Sequence, residues 1–464
     1  MTKPTAVRVA ATGARLIGGL LVSAACVAGV VVAVPAAIPG IVHEPARTSI
    51  TPVPGDTLLT CAGPFRALGR DAQNAGQMTV AGAPALTAGA AAGSSIQPSE
   101  LAIADVADAT TAPMYVAPPS DRAVAQAAAA SSLTIAADDL SGFAAAACRP
   151  ASMQSWIVGG AGAAGSNDIL LIANPGQVPA TVSFTFYGQQ GEKRSSDLIV
   201  PPKTQRSLPL AAGAAGETSP VVQITSSGSP VRAALQSSLI RTLDPAGIDL
   251  QDGIAHAETS QALLGVRVVL PATGEGVSTL VRLLAPSADG TVRLQARNAD
   301  GGATVGEEKT VSLTAGQPAE VDMSGLKPGF YSIDVTSTTP VVAGAWQTTS
   351  LGKGADFAWM TPAPEISSAT TFAVAEGPQP QLQVRNAGAV EARVTLTPTG
   401  GGTPQQLTVP ADGSTIANVT AGTVYTLETD QPVRAALGYL GTGQIAGYPV
   451  WPALTTSPEI AVYQ

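Results

Sequence analysis

The stretch "SPVRAALQSS", Ser229–Ser238, returns in altered form as "TPVVAGAWQT" at Thr339–Thr348 and as "QPVRAALGYL" at Gln431–Leu440. Each copy follows a strand-like run, "VVQITSSG", "YSIDVTST" and "VYTLETD", so the local unit reads as strand, Pro-Val turn, strand. Pro230, Pro340 and Pro432 are spaced 110 and 92 residues apart, close to the roughly 100 residues that one β-sandwich needs. Outward from this unit the same order recurs. Each copy opens on an apolar strand ("LLIANPGQVPATVSF", "LVRLLAPSADGTVRL", "LQVRNAGAVEARVTL") and passes through a middle strand ("LIVPPKTQRSLPL", "VSLTAGQPAEVDM", "LTVPADGSTIANV") before the hairpin. Within the copies, "ATVSFTFYG" (Ala180–Gly188), "GTVRLQARN" (Gly290–Asn298) and "GFYSIDVTS" (Gly329–Ser337) alternate apolar and polar residues, the period of a half-buried strand. The expected fold is all-β: tandem antiparallel, Ig-like β-sandwich domains at 156–263, 264–363 and 364–464. "VLPA", "MTPA" and "WPA", from Val269, Met360 and Trp451, mark corresponding strands near the junctions, where an edge proline costs no ladder hydrogen bond.

Composition agrees with many turns and few amphipathic helices. Charged residues are 12% of the 464, about half the usual share, and there are 49 glycines and 37 prolines. The net charge is −9, which leaves no evident phosphate-neutralising patch and makes nucleic acid an unexpected partner.

The N-terminus assigns the compartment. Lys3, Arg8 and Arg15 precede the uncharged run Leu16–Ile38, about as long as the roughly 20 residues that span a bilayer. The positive-inside rule then makes 1–15 cytoplasmic, 16–38 a transmembrane helix and the rest extracytoplasmic; a cleaved signal peptide is the alternative. Residues 39–56 read as an extended Pro-rich linker. An Ala-rich module follows at 57–155, its fold between residues 62 and 137 unread. Cys61 and Cys148 form an even pair in an oxidising compartment, which favours a disulfide over two free buried thiols. Closing that 87-residue loop is worth roughly 4–5 kcal/mol in the chain-entropy model.

"TLLTCAGPF" (Thr57–Phe65), "AACRPASMQSWIVGG" (Ala146–Gly160) and "LLIANPGQVPATVSFTFYGQQG" (Leu170–Gly191) resemble an uncharacterised actinobacterial family of membrane-anchored secreted proteins, catalogued as a domain of unknown function. The matching residues are Cys61, Gly63, Pro64, Cys148, Trp156, Gly159, Gly160, Asn174 and Pro175; Ala62 stands where the family pattern has proline. The resemblance implies a location at the cell envelope and a gene that lies near genes for envelope glycan synthesis, and assigns no activity.

Four features carry candidate chemistry. Gly160, Gly162 and Gly165 have the G-x-G-x-x-G spacing of dinucleotide sites, but a strand-like run follows where that fold needs a helix, and no acid stands about 20 positions on. We read the segment as a loop entering the first sandwich, and expect no cofactor. "SGLK" at Ser324–Lys327 matches S-x-x-K, yet it runs into "PGFY" and the chain has no K-T-G; it reads as a turn. His256 with Asp249 or Asp252 lacks a serine in a nucleophile-elbow context, and with Asp244 and Glu258 it matches no calcium loop. No catalytic or metal residue is therefore expected. Of the tryptophans Trp156, Trp346, Trp359 and Trp451, most are needed as core anchors. Trp346 is the candidate ligand-stacking residue, because Leu235 and Leu437 fall at nearby repeat positions. The expected role is a non-catalytic, membrane-anchored binding or scaffolding protein whose partner is an envelope glycan or envelope protein. An enzyme or enzyme accessory acting on envelope polysaccharide, and a structural stalk, are the alternatives.

Overall fold

The computed structural model describes residues 5–33, 47–50, 52–70, 73–74, 76–107, 111–269, 278–323, 325–454 and 460–463. These fall into two units, residues 1–52 with 457–464, and residues 53–456. The first unit holds one long helix, Thr5–Ala33, whose apolar stretch Gly13–Val32 is long enough to cross a membrane by length and composition. A helix of this kind serves as a single-pass anchor or as a signal sequence. It begins inside the segment expected to be a cytoplasmic tail, because "TAVRVAATGAR" is rich in alanine, the best helix former. The expected helix end at Ile38 and the histidine His43 lie outside the described residues. Part of the expected linker is a strand: Arg47–Ile50 pairs antiparallel with Ile460–Tyr463 near the C-terminus.

In the second unit the three repeats build the same three-strand ladder. The opening strand Ile169–Asn174 lies between Arg232–Arg241, which follows the Pro230-Val231 turn, and the middle strand Thr204–Pro209. Thr279–Leu284 lies likewise between Gly329–Thr348 and Ala319–Asp322, and Gln381–Asn386 between Val433–Gly441 and Gly413–Asn418. Alternate residues of each opening strand face a second sheet. Leu170 and Ile172 pack on Val182, Phe184 and Ile224; Val281 and Leu283 on Val292, Leu294 and Ile333; Leu382 and Val384 on Val394, Leu396 and Leu427. In the first and third repeats one asparagine closes the turn after this strand. Asn174 accepts the Gly176 N–H (2.9 Å) and donates to the Val178 carbonyl, as Asn386 does with Gly388 and Val390. In the second repeat the two strands around Pro340 merge into one, Gly329–Thr348, which passes from one sheet to the other.

Two of the expected boundaries fall inside strands, whereas that at 363/364 falls between Phe357–Met360 and Glu365–Ile366. The limit at 155/156 falls inside the strand Gln154–Ile157, and that at 263/264 inside Glu258–Val268, which pairs within the second sandwich. Nor does the Ala-rich module stand apart. Its strand Gln97–Ile103 pairs parallel with Thr204–Pro209 and carries Thr111–Ala117 and Thr57–Thr60, extending the first sandwich's sheet to seven described strands. Three further strands, Ala85–Ala90, Ala127–Ala136 and Ser141–Cys148, form a sheet whose inner part, residues 128–133 and 143–146, is buried on both faces. On one face Leu133, Ile135, Ala144 and Ala146 meet Ile169, Leu171 and Ala173 of the first sandwich. On the other, Ala128, Ala130, Phe143 and Ala145 join the core of the third. Alanine is the common residue because both neighbours must approach closely, and strands covered on both faces lose polar alternation. The Cys61–Cys148 disulfide fastens this layer to the strand Thr57–Thr60, beside mutual hydrogen bonds between the backbones of Thr60 and Arg149.

One buried carboxylate joins all four parts. Asp356, just ahead of the second-sandwich strand Phe357–Met360, accepts backbone N–H groups from Phe143 of the alanine sheet (2.9 Å), Ile248 of the first sandwich (3.1 Å) and Ile445 of the third (3.1 Å). Gly142 and Gly247 make room for it, since a Cβ on either would run into the carboxylate.

Candidate functional site

The glycine loop after Trp156 leads into the strand Ile169–Asn174 rather than a helix, so the pyrophosphate geometry of a dinucleotide fold is not formed. Its glycines answer to packing. Gly160 has φ +77°, with Leu210 and Asp168 closing in on where a Cβ would sit, and a Cβ on Gly162 would overlap the Ala214 carbonyl. The loop lies at the seam between the first two sandwiches, where Trp156, Val158, Tyr187 and Val221 pack on Leu284 and Val342. Trp156 is thereby a core anchor, its ring 5.7 Å from Tyr187.

Beside this apolar seal the seam opens into a cavity of about 280 Å³, at the small end of the roughly 300–1,000 Å³ typical of ligand pockets. One wall is aromatic: Trp346, Trp359 and Phe357, presented by the paired strands Gly329–Thr348 and Phe357–Met360, with Trp346 opposite Trp359 in the ladder. Trp346 is half-buried, its ring 6.3 Å from Phe357. The polar groups are Asp168, Ser166, Ser237 and Ser238 from the first sandwich and Arg282 and Glu320 from the second.

Registers refine the reason for Trp346. Counted back from the turn after each opening strand, Leu235, Ala345 and Leu437 are equivalent inward positions, and Trp346 is level with Gln236 and Gly438. The reading that set Trp346 against Leu235 and Leu437 was one residue out, which in a strand is the opposite face. The conclusion that no shared core position demands an aromatic there is unchanged.

Arg282 belongs to the architecture of the pocket. Its Nη1 donates to the carbonyls of Gly160 (2.7 Å) and Pro220 (2.9 Å), its Nη2 to that of Thr218 (3.3 Å) and its Nε to Glu320 (3.0 Å), while the guanidinium lies 4.7 Å from the Trp359 ring. With its donors so engaged, the groups left for a ligand are acceptors and hydroxyls: Glu320, 32% exposed at its side chain, Asp168 and the serines.

Burial pushes the Asp168 carboxyl up to about 6, against the pull of the Ala161 N–H, which it accepts at 2.6 Å. Beneath it Asp249, which accepts the Trp359 N–H at 2.8 Å, is pushed up to about 8 by burial, with the charges of Asp168 and Asp252 adding to the effect. Both folded values lie above the 3.8 of an exposed aspartate. The folded chain therefore holds protons that the unfolded chain has released, and the stability this confers is complete below pH 4 and lost as pH rises through 6 and then 8. Each group contributes a slope of roughly 1.4 kcal/mol per pH unit between its two values. The thermal unfolding midpoint at fixed ionic strength is expected to be higher at pH 5 than at pH 8; a midpoint that rises toward pH 8 would contradict this assignment.

The other sequence candidates are dispersed. Asp252 is ion-paired with buried Arg232, Asp244 lies 3.5 Å from Lys353, and His256 and Glu258 stand exposed at a different cavity. Asp249 serves Trp359, so no triad forms around His256. Ser324 lies outside the described residues, and the Lys327 carbonyl accepts the Tyr331 hydroxyl at 2.8 Å. Trp451 is half-buried under the Arg149 guanidinium. Asp168, Arg282, Glu320 and Trp359 were not singled out from the sequence. The available signal was Arg282 itself, a lone charge inside the apolar run "LVRLL", since a buried charge demands partners.

Residues 103–422, from the alanine-rich layer to the third sandwich, match the model of a family described as "Family of unknown function (DUF5719)". The chain belongs to this family. No curated protein matches the DUF5719 chain. Among solved structures, it is similar to a biofilm associated protein, BSP domain, at 11% identity and a TM-score of 0.13 over 80% of this chain and 67% of that one. It is also similar to the chicken CNTN1 FN1–FN3 domains, at 9% identity and a TM-score of 0.10 over 68% and 99%. Neither likeness bears on the activity of the DUF5719 chain.

Proposed function

We propose that this DUF5719 protein is a non-catalytic binding protein, anchored by its N-terminal helix at the outer face of a cell membrane, the actinobacterial envelope on the resemblance above. The seam pocket takes one sugar unit of an envelope glycan. The observation that carries this reading is the half-buried Trp346, set in an aromatic wall that shares its cavity with the carboxylates Asp168 and Glu320 and three serines. An aromatic face packs against the apolar face of a pyranose ring, and the ring's hydroxyls are donors for Asp168, Glu320 and the serines. A small number of placed polar groups in a largely apolar cleft is the usual composition of a ligand site.

The test is calorimetric titration of the full-length protein in detergent micelles with neutral oligosaccharides released from envelope polysaccharide. Saturable binding with the sugar recovered unchanged is expected. Absence of binding across the panel would overturn the reading. One observation favours a second reading, an enzyme acting on such polymers: Asp168, raised to about 6, shares its pocket with a second carboxylate, Glu320, and glycoside hydrolysis uses two carboxylates. Cleavage of any panel member, abolished by Asp168→Asn, would select it.

A further inference from the structure

A second cavity, of about 490 Å³, opens where all four parts of the chain converge. Arg149 comes from the end of the alanine sheet, His256 from the passage between the first two sandwiches, Glu258 and Gln261 from the second sandwich's strand Glu258–Val268, Arg434 from the third, and Trp451 from the segment after its last strand. Pro150, Pro362, Pro364 and Pro452 complete apolar walls.

Its chemistry differs from that of the seam pocket. In a chain of net charge −9, the cavity gathers two arginines and a histidine against one glutamate. Each arginine is anchored by one recorded hydrogen bond, Arg149 Nη1 to the Gly253 carbonyl (2.8 Å) and Arg434 Nη1 to the Ala363 carbonyl (2.6 Å). Neither has a carboxylate partner within ion-pair distance among the described residues. Gln261 is the independent pointer to a ligand. The residue is only 4% exposed, and its amide donates to the Val341 and Glu258 carbonyls, but its side-chain carbonyl has no hydrogen-bond partner. A buried acceptor left unmade costs roughly 1–3 kcal/mol, so a donor is due there.

We propose that this cavity binds a carboxylated sugar, a uronic-acid unit. The carboxylate lies between Arg149 and Arg434, a ring hydroxyl donates to Gln261, and the ring's apolar edge packs on the prolines. Guanidinium forks match carboxylates in geometry as well as charge. The hydroxyl donor at Gln261 favours a sugar acid over a simple inorganic anion. This site is independent of what occupies the seam pocket.

The test titrates the full-length protein in micelles with trigalacturonate and with its carboxyl-reduced, neutral counterpart. Trigalacturonate is expected to bind at least about tenfold more tightly, with the preference shrinking as salt screens the charges. Arg434→Gln should abolish the preference while neutral-sugar binding at the seam and the thermal midpoint stay unchanged. Glu258→Gln, at an exposed rim position that folding does not depend on, should tighten trigalacturonate binding about two- to threefold by removing a like charge. Equal affinity for the charged and neutral trisaccharides would overturn the proposal, as would a Glu258→Gln variant that binds no better. Triglutamate binding more tightly than trigalacturonate would replace the sugar acid with an acidic peptide.

Discussion

Replacing Asp356 with alanine is expected to destabilise the folded chain by about 3–9 kcal/mol, the cost of leaving three buried N–H donors without an acceptor at roughly 1–3 kcal/mol each. The donors, Phe143, Ile248 and Ile445, belong to three parts of the chain and the carboxylate to a fourth. The loss is therefore felt at every junction at once. Gly142 and Gly247, beside the donors Phe143 and Ile248, supply no side chain in its place, and a Cβ at either would run into the carboxylate. Asp356→Asn keeps one acceptor oxygen and should recover part of the loss. Denaturant unfolding of the full-length protein in micelles measures both variants, and a loss below about 1 kcal/mol for the alanine variant would show that the junctions hold without this group.

The second large effect is expected at the Cys61–Cys148 disulfide, which closes a loop of 87 residues. Replacing both cysteines with alanine should cost roughly 4–5 kcal/mol through the entropy the unfolded chain regains. The bond sits in a small apolar cluster with Leu59 and Ala129, and fastens the double-faced alanine sheet to the strand that borders it. Loss of the bond should therefore loosen the layer on which both the first and third sandwiches pack. Reductant should lower the midpoint of the wild-type protein to that of the double variant and leave the variant unmoved. A wild-type midpoint indifferent to reductant would contradict this.

The sandwiches were legible in the sequence because each repeats the same order of opening strand, middle strand and Pro-Val segment, and because a strand such as Gly290–Asn298 buries alternate residues. Leu170 and Ile172, Val281 and Leu283, Leu382 and Val384 stand at every second position, and the turns that follow are written in short range, as Asn174 and Asn386 are. The alanine sheet was not legible, since "AAAASSLTIA" and "SGFAAAAC" lack regular alternation and carry only Leu133, Ile135 and Phe143 as large apolar residues among the alanines. Their pattern makes sense only with two neighbours contributed by chain more than 20 residues away on one side and more than 200 on the other. The same limit hid the true sheet boundaries: Gln97–Ile103 pairs with Thr204–Pro209 through two residues of register, which no local signal announces.

The site was half legible. Trp346 stood out because the repeats supplied an internal comparison, even though the strand register was misjudged by one residue. Asp168 and Glu320 could not be found in this way, as each is an ordinary polar residue until the docking of two sandwiches brings them to one cavity. The glycine loop shows the converse. Its spacing suggested a phosphate cradle, and its glycines in fact permit the close packing that shapes the pocket, with the Gly160 carbonyl receiving Arg282.

The proposed role of the seam pocket is to bind a sugar ring against Trp346. Its most direct test is a calorimetric titration of wild-type protein and of Trp346→Ala with the tightest neutral oligosaccharide of the panel, with thermal unfolding run in parallel. The half-buried position predicts a variant that folds with a nearly unchanged midpoint and binds at least about tenfold more weakly. Equal affinities in the two proteins would contradict the account.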